Sequence, residues 1–193
     1  MKNWFSPAAA GIVLACAAIP TGACAQSLDA RPGLWAEASS SIINGKAMPT
    51  IFDVKGGLPA GEKARIKQVM AKLGLPPNWN PKLQCLTKAS FDSAEVIRKA
   101  AASCPSPSVK ARGNEISYSA RCQEQGTEAQ VTGNVRAVSD TEIRSNSRVE
   151  AQVQGQKVVS EHQTVSKWLG ADCTQPPAGI DPQWLAGLGG SAE

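Results

Sequence analysis

Histidine is almost missing from this chain: His162 is the only one in 193 residues. Clustered imidazoles therefore cannot build a metal site, and the six cysteines contain no CxxC pair to supply thiolates instead. Aromatic residues make up only 5% of the chain, too few for a platform on which single-stranded bases stack. Long basic runs are absent too. Cationic and acidic residues are interspersed and the formal charge is only +4, so no nucleic-acid partner is implied. The chain has no GxSxG elbow, HExxH pair, phosphate loop or dinucleotide fingerprint. Ser160 and Glu161 stand beside His162, but neighbours along a strand point to opposite faces, so this run is not a preassembled triad. A site assembled from distant residues stays open, because triads are defined by geometry. The expectation is a protein that is not an enzyme, with no cofactor and no metal.

Sustained apolar runs are also scarce. The stretch from Ala8 to Ile19 is too short to span a bilayer comfortably as a permanent helix. It follows Lys2, breaks at Pro20 and Gly22, and leads into Ala23-Cys24-Ala25, whose small residues suit signal peptidase. These features predict a signal peptide over residues 1–25, cleavage after Ala25, and a periplasmic location. The rival is lipidation at Cys24, the one route by which membrane association is expected. Thr21 stands where a lipobox has a bulky aliphatic residue, and Pro20 precedes it, which weighs toward soluble export.

Cleavage would leave Cys85, Cys104, Cys122 and Cys173, and an even count in an oxidising compartment reads as disulfides. Gly113 lies midway between Cys104 and Cys122, within the turn sequence Arg112-Gly113-Asn114. That symmetry describes a hairpin with its two cysteines nearly opposite, in bridging range. Cys85 and Cys173 are then partners by exclusion. The hairpin is the expected centre of the fold.

Before it, Leu34 to Ile43 suits a strand anchored by Trp35 and closed by Asn44-Gly45. Ile66, Val69, Met70 and Leu73 then recur at helical spacing, which predicts a helix over 61–73 stopped by Gly74 and Pro76-Pro77. Its stripe is expected in the core, with the lysines in water. Pro76 to Pro81 reads as a rigid connector. Asp92 and Glu95 resemble a capping box for a second helix bearing Ala94, Ile97 and Ala101. After the hairpin, Thr127 to Ala137, Ile143 to Val153 and Lys157 to Leu169 alternate with turns too close together for crossover helices. The predicted fold is α+β: a curved antiparallel meander of five to six strands with one or two short helices and two disulfides. One domain covers 26–173 and a Pro/Gly-rich tail covers 174–193. Small residues dominate the apolar face and would leave a shallow core unless a helix or the tryptophans fill it, so a helix is expected against the concave side of the sheet.

Several of these features occur together in a known family. Arg31-Pro32-Gly33-Leu34-Trp35, Cys85-Leu86-Thr87, the cysteine-bounded hairpin at Cys104 and Cys122, and Lys167-Trp168-Leu169-Gly170-Ala171-Asp172-Cys173 follow one another in order. In these motifs the chain resembles the bacterial exported family catalogued as domain of unknown function 3617, over residues 31–173. Where that family is commonly Met-rich, this chain has only Met48 and Met70. The resemblance implies an envelope protein and no particular activity.

Two function classes follow. The first is a non-enzymatic envelope module whose curved sheet holds a small apolar or amphipathic ligand or a partner segment, with Trp35, Ile66, Met70 and Trp168 as candidate lining residues. The second is a periplasmic hydrolase pairing His162 with a serine.

Overall fold

Period-two alternation runs through the second half of the chain, and that half is almost wholly strand. The structure, a computed structural model, describes residues 27–55, 57–92, 104, 107–124 and 127–175. There β4 (Ser108–Arg112), β5 (Glu115–Glu124), β6 (Thr127–Ser139), β7 (Glu142–Val153) and β8 (Gln156–Gly170) pair antiparallel in sequence order. The first half supplies β1 (Gly33–Ile43), β2 (Lys46–Ala47), β3 (Asn80–Leu86), the helix α1 (Ala60–Lys72) and a 3-10 turn at Lys88–Phe91.

All the strands join one eight-stranded antiparallel sheet, more than the five to six the alternation suggested. The shortfall has a physical source. Pro81 sits inside β3, where the sequence reads as a rigid connector; proline is tolerated in a strand at a sheet edge, and β3 is an edge. The centre also moves. β1 pairs with β8 along one side and with both β3 and β2 along the other, so β1, rather than the cysteine hairpin, is the hub.

At this hub both faces of the sheet are buried. Leu34, Ala36 and Ala38 point one way, and α1 lays Ile66 and Met70 on them together with Leu83, flanked by half-buried Val69 and Leu73. Trp35 points the other way and is 0% exposed, in a cluster with Leu28, Phe91, Ile116, Ala137 and Ile143. Half-buried Val109, Ala111 and Trp168 complete that cluster. Residues from β4 and β1, at opposite ends of the meander, meet one cluster only because the sheet curls around it.

The helix therefore does not fill the face on which the small apolar residues of the meander lie. Trp35, Trp168 and Phe91 fill one end of that face, while Ala36 and Ala38 leave room for α1 to approach the opposite face of the sheet. Nor do all the helix lysines face water. Lys63 Nζ donates to the Phe52 carbonyl at 2.6 Å, and Lys67 Nζ stands 4.9 Å from the Phe52 ring centroid. Both tie the loop before the helix to its side.

Leu73→Asp should lower the thermal midpoint. It removes a half-buried leucine and puts an anion at a helix C-terminus, together about 1–3 kcal/mol, or roughly 2–12 °C in a domain of this size. A melt followed by circular dichroism with no ligand present measures it; an unchanged midpoint would mean that the stripe carries no core.

Two disulfides close the fold. Cys85–Cys173 fastens β3 to the segment after β8 across 88 residues, and Cys104–Cys122 fastens the lead into β4 to β5 across 18. Together they point to an oxidising, extracytoplasmic environment. No helix among the described residues is long and apolar enough to cross a membrane. Most of the second expected helix, the signal segment and the tail beyond 175 lie outside the described residues.

Candidate functional site

The Arg31–Trp35 and Lys167–Cys173 motifs build a clasp. Gly33 has φ +134°, and a Cβ there would lie 2.2 Å from the Gly170 carbonyl oxygen, so only glycine lets β1 enter against the end of β8. Pro32 offers its carbonyl to the Trp168 indole N–H at 3.1 Å, and the Arg31 carbonyl accepts from the Trp35 indole at 2.9 Å. The Arg31 guanidinium stacks 5.2 Å from the centroid of Trp168 and pairs with Asp140 in the β6–β7 turn at 2.6 Å. These contacts join the start of β1, the end of β8 and the β6–β7 turn. Their chemistry is structural.

The four candidate lining residues do not share a pocket. Ile66 and Met70 are buried on the helix side of the sheet, whereas Trp35 and Trp168 lie on the other. Met70 and Trp35 are each 0% exposed.

A different group of side chains converges on the Trp35 face, beyond the buried cluster. Cross-strand register places Ser41 (β1), His162 (β8), Ser147 (β7), Gly133 (β6) and Tyr118 (β5) directly opposite one another in a row. Ser41 Oγ lies 2.9 Å from His162 Nδ1. The Tyr118 phenol folds over Gly133: a Cβ on that glycine would sit 2.4 Å from the hydroxyl oxygen. Tyr118 Oη is thereby carried over β6, next to the strand that holds Ser147.

On the plugged side of this row Ser145 and Thr164 hydrogen bond to each other at 2.6 Å. Further along, Glu37 accepts from Gln84 at 2.9 Å and from the buried Ser166 at 3.4 Å. On the open side come Ala120, Val131 and Val149, then Ala129, Ala151 and Val158. Most of these side chains are half-buried, and neither apolar cluster extends to them. The face thus grades from an aromatic plug through a hydroxyl and imidazole row to a small apolar strip. The single histidine was visible in the sequence, but Ser41 was not, because 121 residues separate the pair.

The opposite face is a charged surface. Lys167 beside Glu142 holds that carboxyl below its ordinary range, and Lys157 and then Arg148 do the same for Glu150. A depression of about 450 Å³ among Arg121, Gln123, Glu128 and Lys157 carries both signs of charge, as a solvated face does.

Chemically, a serine on an imidazole is the start of a nucleophilic site, but two further parts are needed. The base must be oriented by a third group, and hydrogen-bond donors must await the oxyanion. Glu161 projects to the other face, where it pairs with Arg148. Glu37 shares the face of His162 but lies four residues along β1 from Ser41, about 13 Å at strand spacing. Ser41 itself is mid-strand, paired with β8, and its carbonyl accepts from the Met48 N–H. Neither acid near the pair, Glu161 on the other face nor Glu37 four residues along β1, is placed to orient His162, and among the described residues no group of three metal-ligating side chains is found.

No curated protein and no solved structure matches the chain. A family model does, that of the protein of unknown function DUF3617, over residues 30–173. That match takes in the Arg31–Trp35 clasp, the four cysteines and the whole described sheet from β1 to β8, so the chain belongs to the DUF3617 family.

Proposed function

We propose that this protein is a non-enzymatic binding module of the bacterial envelope, exported to the periplasm, whose Trp35 face holds an apolar or amphipathic molecule. The observation that carries the reading is the graded face itself. Small side chains from β5, β6, β7 and β8, most of them half-buried, border a polar row, and the buried aromatic cluster ends before them. Ligand sites are characteristically apolar and concave with a few convergent polar groups, which is the composition found here. Export agrees with the two disulfides and with the sequence of residues 1–25.

Purified protein should bind an uncharged fluorescent apolar probe such as N-phenyl-1-naphthylamine, and Val149→Asp should abolish the signal while the fold is retained. A signal that survives the substitution would place the probe elsewhere. The hydrolase reading is favoured by one observation, the Ser41–His162 contact of 2.9 Å. The lack of an acid placed to orient His162 weighs against it. Accordingly, His162→Ala is expected to cost about 0.5–1.5 kcal/mol through the lost hydrogen bond with Ser41, and to remove no esterase activity; ester hydrolysis that disappears in this variant would reverse the assignment.

A further inference from the structure

The row of Tyr118, Ser147, His162 and Ser41 has a composition that selects among amphipathic ligands. We infer that it is a head-group subsite for a monocarboxylate carried on an apolar chain. The inference rests on the binding reading above and adds what is bound.

The first argument is the balance of donors and acceptors. Hydroxyls and an imidazole can all donate, and a carboxylate is an acceptor with no proton of its own to give. Tyr118 Oη over Gly133, Ser147 on the next strand and His162 on the one after place three donors on neighbouring strands. Adjacent strands are about 4.8 Å apart, so two of the three can reach the two oxygens of one carboxylate. Ser41 has a separate task. With Ser41 as the donor in its contact to Nδ1 of His162, the ring proton sits on Nε2, the nitrogen on the far side of the ring from Ser41.

The second argument is charge. No carboxylate of the described residues stands in this row, so a bound anion meets no like charge there. Glu37, the acid on this face, is spaced four residues away and already accepts from Gln84 and Ser166. The row also lacks lysine and arginine. Lys82, across from Glu37, lies at the plugged end, and Arg148 and Arg144 project to the other face, paired with Glu161, Glu150 and Glu142. A phosphate head of higher charge calls for such cations, ideally arginine in bidentate geometry. One imidazole N–H with hydroxyls supplies neutral donors, which suffice for a head of single negative charge.

The third argument is polarity along the strands. On one side of the row Ser145 and Thr164 bind each other and the aromatic plug begins. On the other side Ala120, Val131 and Val149 continue into Ala129, Ala151 and Val158. A ligand anchored at the row has one direction in which an apolar tail finds apolar side chains, toward the β7–β8 turn.

The test compares oleic acid with oleyl alcohol, which share the tail and differ in the head, by displacement of N-phenyl-1-naphthylamine from the full mature chain. Wild-type protein should bind the acid at least tenfold more tightly than the alcohol. His162→Ala should bring the acid to the level of the alcohol while naphthylamine binding persists. Tyr118→Phe, which deletes only a hydroxyl and preserves the packing over Gly133, should reduce the preference several-fold. If wild-type protein binds acid and alcohol equally, or both variants keep the full preference, the head-group subsite is wrong though the binding face stands. If wild-type protein binds none of the three molecules, the binding reading falls and takes the subsite with it.

Discussion

Trp35→Ala is expected to destabilise the protein by about 3–5 kcal/mol, the range for deleting a large aromatic side chain from a packed core. Trp35 is 0% exposed, and its ring centroid lies 6.0 Å from that of Phe91 at a tilted angle. Its indole N–H satisfies the Arg31 carbonyl at 2.9 Å, a bond that alanine leaves unmade. The size of the effect comes from position. On one side of β1 the tryptophan fills the curl of the sheet, while Leu34 and Ala36 beside it in sequence hold α1 on the other. A cavity at Trp35 therefore loosens both layers through one strand. With about 2–4 °C of midpoint per kcal/mol in a domain of this length, the melting temperature should drop by roughly 6–20 °C. Urea unfolding followed by far-UV circular dichroism gives the free energy. Trp35→Phe is the control: it keeps most of the volume and loses the indole bond, so it should cost about 1–3 kcal/mol through the carbonyl left unpaired. A loss under about 1 kcal/mol in the alanine variant would mean that the curl does not depend on this side chain.

Removing the long disulfide should be of similar consequence. In the chain-entropy account, a bridge stabilises by restricting the unfolded ensemble, and the effect grows with the logarithm of the loop it closes. Cys85–Cys173 closes a loop of 88 residues and Cys104–Cys122 one of 18. The double replacement Cys85→Ser with Cys173→Ser should therefore cost about 4–5 kcal/mol, and Cys104→Ser with Cys122→Ser about 3. The long bridge also holds the end of the clasp, since Cys173 follows the β8 segment against which Gly33 packs. Peptide mapping without reductant should recover both pairs, and a Cys85–Cys104 peptide would break the assignment. In denaturant titrations the Cys85/Cys173 variant should have the lower midpoint; the reverse order would show that the reduced chain keeps enough structure to cancel the entropic difference.

These two effects differ in how far they could be foreseen. The disulfide pairs were readable because Gly113 stands midway between two cysteines and a hairpin turn brings near neighbours together. The turn forms there as expected, with Gly113 at φ +56°. Asn44-Gly45 closes β1 onto β2 for the same local reason, at φ +49° and +77°. The Ile66–Met70 stripe likewise identified the buried side of α1, because a 3.6-residue period is a property of the helix alone. Pro81 misled for the converse reason. Its restriction is local, whereas its tolerance in β3 depends on that strand lying at an edge, which no stretch of sequence near it records.

What the sequence determined by itself is whatever short-range chemistry decides: the turns, the helix and its stripe, the strand alternation and the cysteine frame. It also placed the Arg31–Trp35 and Lys167–Cys173 motifs in order, though not in contact. Only the tertiary structure decided which face each element covers. Alternation states that Trp35 and Ala36 point apart, but either face of β1 is equally consistent with receiving α1. The choice is made when Trp35 meets Phe91, Ile116 and Ile143 on one side and the alanines admit the helix on the other. The Ser41–His162 pair has the same origin. The two residues lie far apart in sequence and become neighbours through the pairing of β1 with β8, a contact set by the packing of the whole sheet rather than by anything within reach of either residue along the chain.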